Sequence, residues 1–223
     1  MEQEKLKYKN IVDVLTSARL SSYKQQPTDT DVILLNEYIY NVQLSESFYP
    51  ALSLLEVTLR NRICNAIETL IKKDWLINEL QSPKILGVKE HAKVIEAQKS
   101  IIQQGKKVTN DRLIAEMTFG FWIHLCTKAY KPKLWDKKGF FELVFPNHVQ
   151  CSGLRQIAPI QNDLRNILRL RNRVFHHEII INGKNSPKYY YQLILNLLHL
   201  MSDDIVDLLN NISRFDTISK QKP

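Results

Sequence analysis

The sequence of 223 residues has few glycines, few cysteines and no long apolar run. Because it has only six glycines and no low-complexity linker, we expect one large domain rather than several. The apolar stretch from Leu193 to Met201 is interrupted by Asn196 and His199 and is too short to cross a bilayer. The sequence therefore predicts no association with a membrane.

Three cysteines are present, Cys64, Cys126 and Cys151, and no two of them form a Cys-x-x-Cys pair. Distant cysteines in odd number do not predict a disulfide framework or a zinc site, so we interpret all three as reduced core residues. The charged segment 1–5 lacks the apolar core of a signal peptide. These features predict a cytoplasmic protein without a metal or another cofactor.

Positive charge exceeds negative charge in this sequence. Lysine and arginine together number 31 against 23 aspartates and glutamates, which gives a formal net charge of +8. An excess of positive charge favours polyanionic partners through phosphate contacts and counterion release. RNA is therefore a candidate partner, although many basic proteins bind no nucleic acid.

Apolar residues recur mostly at three- and four-residue steps, which predicts an all-α fold with about six to eight helices. We place helices at about 6–23, from 31 onward, and from Ser45 or Ser47 to about 70. Four more are expected at 89–104, 109–125, 153–178 and 186–212, and a break near Pro159 is left open in the third of these. One stripe follows Pro50 and marks the central core helix: Leu52, Leu55, Leu59, Ile63, Ile67 and Leu70. The helical domain is expected to span 1–212, and 213–223 is a polar tail of a composition common in disordered segments.

Several other segments have simpler interpretations. Branched apolar residues between 178 and 182 are compatible with one short strand. The aromatic residues of 119–122 and 135–145 are expected in the core, and the lysines of 89–107 on a solvated face. His124 and His199 are interpreted as structural residues of apolar helices.

The segment from Leu170 to Glu178 carries the most informative group of polar residues. Asn172 and His176 are four residues apart, so their side chains are neighbours on a helix. Arg171 lies about 140° round the helix from His176, within reach of a long side chain. Three arginines precede or join this segment at four-residue steps and are candidates for RNA-backbone contacts: Arg165, Arg169 and Arg173.

These residue types suit RNA cleavage without a metal ion. A histidine can take the proton of the ribose 2′-hydroxyl or give one to the leaving 5′-oxygen. A guanidinium can neutralise the charge that develops on the phosphate, and an asparagine can orient the imidazole or a phosphate oxygen. The simpler alternative is structural, because imidazole groups are common at helix C-termini and arginine stripes are often solvated faces.

The string Arg171-Asn172-x-x-x-His176 resembles the R-x(4–6)-H signature of HEPN ribonucleases. Other segments, in order and spacing from about residue 12 to residue 200, resemble the Abi-like (abortive infection) family: 16–20 with Tyr23, 54–63, 119–122 with Leu125, Leu134-Trp135 and Phe145-Pro146. The resemblance implies an all-helical HEPN-type domain that forms a homodimer with two motifs in a shared cleft. It also implies metal-independent RNA cleavage to a 2′,3′-cyclic phosphate, a role in phage defence or as a toxin, and a regulatory or antitoxin protein as partner.

Under this resemblance Arg171 stabilises the transition state and Asn172 has an orienting role. His176 matches the shorter spacing and His177 the longer one, so either can be the general acid or base, and we prefer His176 because Asn172 lies one turn below it. Arg60 and Asn61 have two interpretations, either a buried ion-pair network with Glu56, which we favour, or a lining of the catalytic groove.

Two other classes of function remain open. A HEPN-like domain can keep the motif and bind nucleic acid without cleaving it. Alternatively, the apolar helix faces can serve a protein partner, as in an oligomeric scaffold or one half of a toxin–antitoxin pair.

Overall fold

A computed structural model describes residues 2–149, 157–181 and 185–223, with the side chains of 2–8 and 149 left aside. Within these ranges the chain is all-helical and contains no β-strand, so the predicted fold class is confirmed. The helices are α1 Glu2–Leu15, α2 Ser17–Ser21, α3 Asp31–Ser47, α4 Tyr49–Leu70, α5 Trp75–Gln81, α6 Val88–Gln103, α7 Asn110–Glu116, α8 Phe119–Leu125, α9 Phe140–Val144, α10 Ile157–Phe175, α11 Pro187–Met201, α12 Asp203–Ile212 and α13 Phe215–Ser219.

Helix α4 lies at the centre of the fold and packs against α8, α9, α11 and α12. Its apolar stripe explains this position, because Leu55, Leu59, Ile63 and Ile67 are completely buried. Pro50 lies in the first turn, where its missing N–H removes no helical hydrogen bond. The predicted start at Ser45 or Ser47 was wrong, since α3 continues through Ser47 and only Phe48 separates it from α4.

The described ranges contain thirteen α-helices, more than the six to eight predicted. Three predicted helices are each divided in two, at Thr16, at 117–118 and at Ser202. Thr16 has a left-handed φ of 67° and Ser202 is extended, so neither residue continues a helix. Short α5, α9 and α13 account for the rest of the difference, because each is one or two turns long and has little periodicity of its own.

The aromatic residues of the irregular segment enter the core, as predicted. Trp135, Phe140, Phe141 and Phe145 are all buried, and the ring of Trp135 stacks on that of Phe145 with centroids 5.9 Å apart. The Trp135 indole also donates a hydrogen bond of 2.8 Å to the carbonyl of Leu125, which fastens this segment to the end of α8.

The segment after residue 212, for which the composition suggested disorder, contains α13 instead. Phe215 is buried, stacks on Tyr191 with ring centroids 4.0 Å apart, and meets Phe48 edge-on at 5.0 Å. The hydroxyl of Tyr40 donates to the carbonyl of Ser219 at 3.3 Å. One aromatic residue in a polar segment is therefore enough to dock it on the core.

Cys64 and Cys126 are buried free thiols, as expected for core residues, and Cys151 lies outside the described residues. In the described part of the chain, every helix falls short of the length and apolar character that a bilayer crossing requires.

Candidate active site

The predicted motif lies at the C-terminal end of α10. This helix begins at Ile157 and passes through Pro159 without a break, because a proline in the first turn removes no helical hydrogen bond. The helix ends at Phe175, three residues earlier than the predicted boundary at Glu178. His176 and His177 therefore occupy the turn that closes the helix rather than its body.

His177 closes α10 in a left-handed conformation with a φ of 57°. Its N–H donates to the carbonyl of Val174 at 3.2 Å, and the N–H of Glu178 donates to the carbonyl of Arg173 at 2.8 Å. These two bonds form a Schellman motif, in which the left-handed position is usually glycine. A histidine here is strained, and strained residues of this kind are concentrated at functional sites.

Asn41 of α3 fixes the segment that follows His177. Its side-chain oxygen accepts a hydrogen bond of 2.8 Å from the N–H of Ile180, and its amide nitrogen donates to the carbonyl of Glu178 at 3.2 Å. The side chain of Asn41 thus satisfies backbone groups that a neighbouring strand would otherwise bond. Residues 178–181 form no strand in the described chain, because this side chain takes the place of a strand partner. Asn41 is buried, so it anchors the segment that follows His177 to α3.

Arg171 is held against an aromatic ring on the same face of α10. Its guanidinium carbon lies 4.5 Å above the ring centroid of Phe175, within the range of a cation–π interaction. Arg171 is half-buried, and its Nε is withdrawn from solvent without a hydrogen-bond partner in the described part of the chain. Stacking on Phe175 therefore orients the Arg171 guanidinium, which keeps N–H donors available for an anion.

A groove of 410 Å³ opens beside this stack. His177 and Phe175 line it from the end of α10, and Tyr23, Tyr38 and Tyr49 line it from α3 and the chain around it. Tyr49 is 60% exposed and Phe175 is 44% exposed, so both present ring faces to a ligand. Arg19 adds a positive charge and Glu46 a negative charge to the same groove. Aromatic faces with adjacent cationic groups are suited to stacking bases and binding phosphates.

Tyr23 forms part of the floor of this groove. It is 1% exposed, its ring meets that of Tyr38 edge-on at 5.7 Å, and its hydroxyl has no hydrogen-bond partner among the described residues. Burial raises the pKa of the Tyr23 hydroxyl, and the nearby charge of Arg19 counteracts part of the rise. A buried hydroxyl without a partner costs about 1–3 kcal/mol, which a bound hydrogen-bonding ligand would recover.

A second feature is an exposed polar stripe on α10 composed of Arg165, Arg169, Asn172 and His176. These positions lie within about 60° of one another round the helix, because steps of three and four residues follow its pitch. Arg173 leaves this stripe, lying about 80° from Arg165, and its Nε is 3.9 Å from a carboxylate oxygen of Glu178. Of the three predicted arginines, Arg165 and Arg169 lie on this stripe, and Arg173 is half-buried beside Glu178.

Arg60 and Asn61 do not line the groove that contains His177. They border a separate groove of 350 Å³ between α4 and α7, and the Nε of Arg60 donates to the side-chain oxygen of Asn61 at 3.2 Å. Burial raises the pKa of the Glu56 carboxyl, and the charges of Arg171 and Arg60 counteract part of that rise. Among the described residues Glu56 forms no ion pair with Arg60, both are half-buried and Asn61 is exposed, so the buried ion-pair network favoured for this segment stays a prediction.

The structure divides the predicted site residues between two neighbouring surfaces. His177 lies in the aromatic groove beside the Arg171 stack, and Asn172 and His176 lie on the exposed stripe. Residue spacing missed the groove tyrosines and Asn41, since they come from α3 and the chain around it, more than 120 residues before His177. Of these residues, only Tyr23 belonged to a segment that the sequence analysis singled out.

Comparison with models of known protein families, with curated proteins and with solved structures found no match for this chain. No group of three or more histidine, cysteine, aspartate or glutamate side chains with the spacing of a metal site occurs in residues 2–149, 157–181 and 185–223.

Proposed function

We propose that this chain is a metal-independent RNA endonuclease of the HEPN, Abi-like type. The observation that carries the proposal is the strained His177 in an aromatic groove beside a guanidinium stacked on Phe175. Each part has a role in RNA cleavage, since rings stack bases, the guanidinium binds phosphate and the imidazole transfers protons. The net charge of +8 favours the same substrate.

In this proposal one histidine accepts the proton of a ribose 2′-hydroxyl, and the 2′-oxygen attacks the adjacent phosphorus. The bond from phosphorus to the 5′-oxygen breaks, and a protonated group returns a proton to that oxygen. The products are a 2′,3′-cyclic phosphate and a 5′-hydroxyl end. Arg171 would neutralise the charge that develops on the phosphate oxygens. We assign the first histidine as His177, because it shares the groove with Phe175, and keep His176 as the candidate for the second.

The same proposal includes a homodimer. Three exposed apolar side chains, Val42, Tyr49 and Phe175, lie at the groove, and Ile39 is exposed one turn earlier on α3. A second copy seated on this rim would cover apolar surface and bring two motifs together. Sedimentation velocity checks this part, and a monomer at micromolar concentration would contradict it. A cytoplasmic role as toxin or phage-defence effector, restrained by an antitoxin or regulatory protein, is the biological setting we propose.

The test is cleavage of total RNA and of defined oligoribonucleotides in the presence of a chelator. We expect His177→Ala and Arg171→Ala each to reduce the rate by about 10²–10⁴-fold, the range for removal of a positioned acid, base or charge stabiliser. His199→Ala is the matched control, because His199 is exposed and pairs with Asp203 on α12. Product ends should be a 2′,3′-cyclic phosphate and a 5′-hydroxyl. Equal cleavage by wild type and the His176→Ala/His177→Ala double variant would overturn the proposal.

The exposed stripe on α10 favours one second candidate, a nucleic-acid-binding module that does not cleave. Arg165, Arg169 and Asn172 can contact successive phosphates without any acid or base. This function predicts salt-sensitive RNA binding that survives His176→Ala and His177→Ala, and no product from the wild type under any condition.

A further inference from the structure

A cavity of 710 Å³ lies between α8 and α10, at the opposite end of α10 from His177. It is larger than the aromatic groove, and its described lining includes neither Arg171 nor the two histidines assigned to RNA cleavage. Polar side chains line it from both helices and from the turn after α8: His124, Thr127, Lys128, Gln161, Asn162 and Arg165.

The charged side chains of this cavity have one sign. Lys128 and Arg165 are exposed cations, and no carboxylate occurs among its described lining residues. Gln161 is only 5% exposed, and its side-chain amide lies against the guanidinium of Arg165; with the amide oxygen on the Arg165 side, it accepts a hydrogen bond of 3.2 Å from Nε. The guanidinium is thus oriented by a buried partner and retains donors for an anion.

His124 is oriented from behind by a buried carboxylate. An oxygen of Glu90, which is 4% exposed, lies 3.4 Å from Nε2 of His124. The other carboxylate oxygen accepts a hydrogen bond of 2.9 Å from the hydroxyl of Tyr130, which itself accepts the N–H of Gly87 at 3.1 Å. This chain of contacts fixes the imidazole and leaves Nδ1 without a partner among the described residues, so that nitrogen is available to a ligand in the cavity.

We propose that this cavity binds the phosphate group of a nucleotide, with Lys128 and Arg165 as charge partners and His124 as a hydrogen-bonding partner. A cavity of this volume accommodates a nucleoside monophosphate as well as its phosphate. The phosphate has two sources, either a free mononucleotide or one residue of a bound RNA strand. Arg165 begins the stripe that ends at His176, about 16 Å further along the helix, so a strand lying on the stripe would reach the cavity. The strand-bound form rests on the proposed function, and the free form does not.

Histidine NMR can read the two sites separately in one titration. The chain has six histidines, and their ring Cε1–H signals report the cavity at His124 and the motif at His176 and His177. The wild-type protein is titrated in separate samples with adenosine monophosphate, inorganic phosphate and an oligoribonucleotide carrying 2′-O-methyl groups that prevent cleavage. Lys128→Gln and Arg165→Gln are exposed substitutions that leave Glu90 and its partners in place. Lys137→Gln is the matched control, because Lys137 is exposed and does not line the cavity.

We expect the His124 signal to shift with at least one phosphate ligand and the affinity to fall about tenfold in Lys128→Gln and in Arg165→Gln, as for loss of one charge-assisted hydrogen bond. A shift with the mononucleotide identifies a free ligand, and a shift confined to the oligonucleotide identifies a strand. No shift at His124 with any ligand, or an equal loss of affinity in Lys137→Gln, would overturn the inference. RNA cleavage without a shift at His124 would leave the proposed function intact, and a shift at His124 without cleavage would leave only the cavity site.

Discussion

Replacing His177 by glycine should make the protein more stable. A side chain with a Cβ in the left-handed region costs about 1–2 kcal/mol, and His177 occupies that region with a φ of 57°. Glycine removes this cost but loses more backbone freedom on folding, which opposes the gain by about 0.5–1 kcal/mol. The His177 side chain is exposed and makes no hydrogen bond with the described residues, so little packing is lost. We expect a net gain of about 0.5–1 kcal/mol in the free energy of unfolding.

Thermal and urea unfolding followed by circular dichroism measure this change. For a protein of this size 1 kcal/mol corresponds to about 2–4 °C in Tm. The matched control is His176→Gly, where no left-handed φ occurs and glycine should lower the stability by about 0.5–1 kcal/mol. Opposite signs at adjacent positions would establish the backbone strain. If both variants were destabilised equally, the argument from strain at His177 would fail.

The same variant connects stability with the proposed activity. If His177 transfers a proton, His177→Gly should lose RNA cleavage while its Tm rises, as for residues kept strained for function. His177→Asn separates the two effects, because asparagine tolerates the left-handed region but has no imidazole. It should also lose cleavage, with a smaller change in stability than glycine. Full activity in both variants would remove His177 from the proposed mechanism and leave His176 as the candidate.

Three further predictions concern groups around the site. Asn41→Ala should lower the free energy of unfolding by about 1–3 kcal/mol in urea, because it leaves the N–H of Ile180 and the carbonyl of Glu178 without their partner. Asn41→Asp should lower it at least as much at neutral pH, because a buried carboxylate replaces the amide donor to that carbonyl; unchanged stability in either variant would contradict this. The pKa of Glu56 is raised by burial from its ordinary value of 4.5, so the stability it contributes is present below that pH and is lost as the pH rises through the raised value. Relative to Glu56→Gln, the Tm of the wild type should therefore fall over this pH range, and a constant difference would refute the effect. Burial raises the pKa of Cys64 to about 12 and also raises that of Cys126, so both thiols should react with a disulfide reagent only after denaturation; labelling of either thiol in the native protein would contradict it.

The fold class and the central helix were predictable from the sequence. The apolar stripe of α4 repeats over five turns, so it determines which face of the helix is buried against the rest of the protein. The helix breaks were harder to predict, because Thr16 and Ser202 lie in segments whose apolar spacing continues across them. Tertiary contacts decide those positions, as do the contacts of Phe215 that dock the C-terminal segment on the core.

The candidate site was predictable only in part. The spacing from Arg171 to His176, with His177 as the alternative, marked the motif. The end of α10 was placed too late because histidine is an uncommon residue at the left-handed position of a Schellman motif. That error matters, because a helix through Glu178 would place His176 and His177 about 100° apart on a cylinder. The actual turn sends His177 into a groove built by tyrosines from the first quarter of the chain.

The hydrogen bonds of Asn41 have a consequence for transplanting this motif into other scaffolds. A graft of residues 171–178 alone would carry the guanidinium, the amide and both imidazoles. It would leave behind Asn41, which holds the segment after His177 and lies 137 residues before Glu178. Substitutions at position 41 of α3 would therefore disturb the segment that follows the candidate catalytic residue His177 without changing His177 itself. A portable unit would therefore have to include α3 with α10 and also Arg19, Tyr23 and Tyr49, which complete the groove.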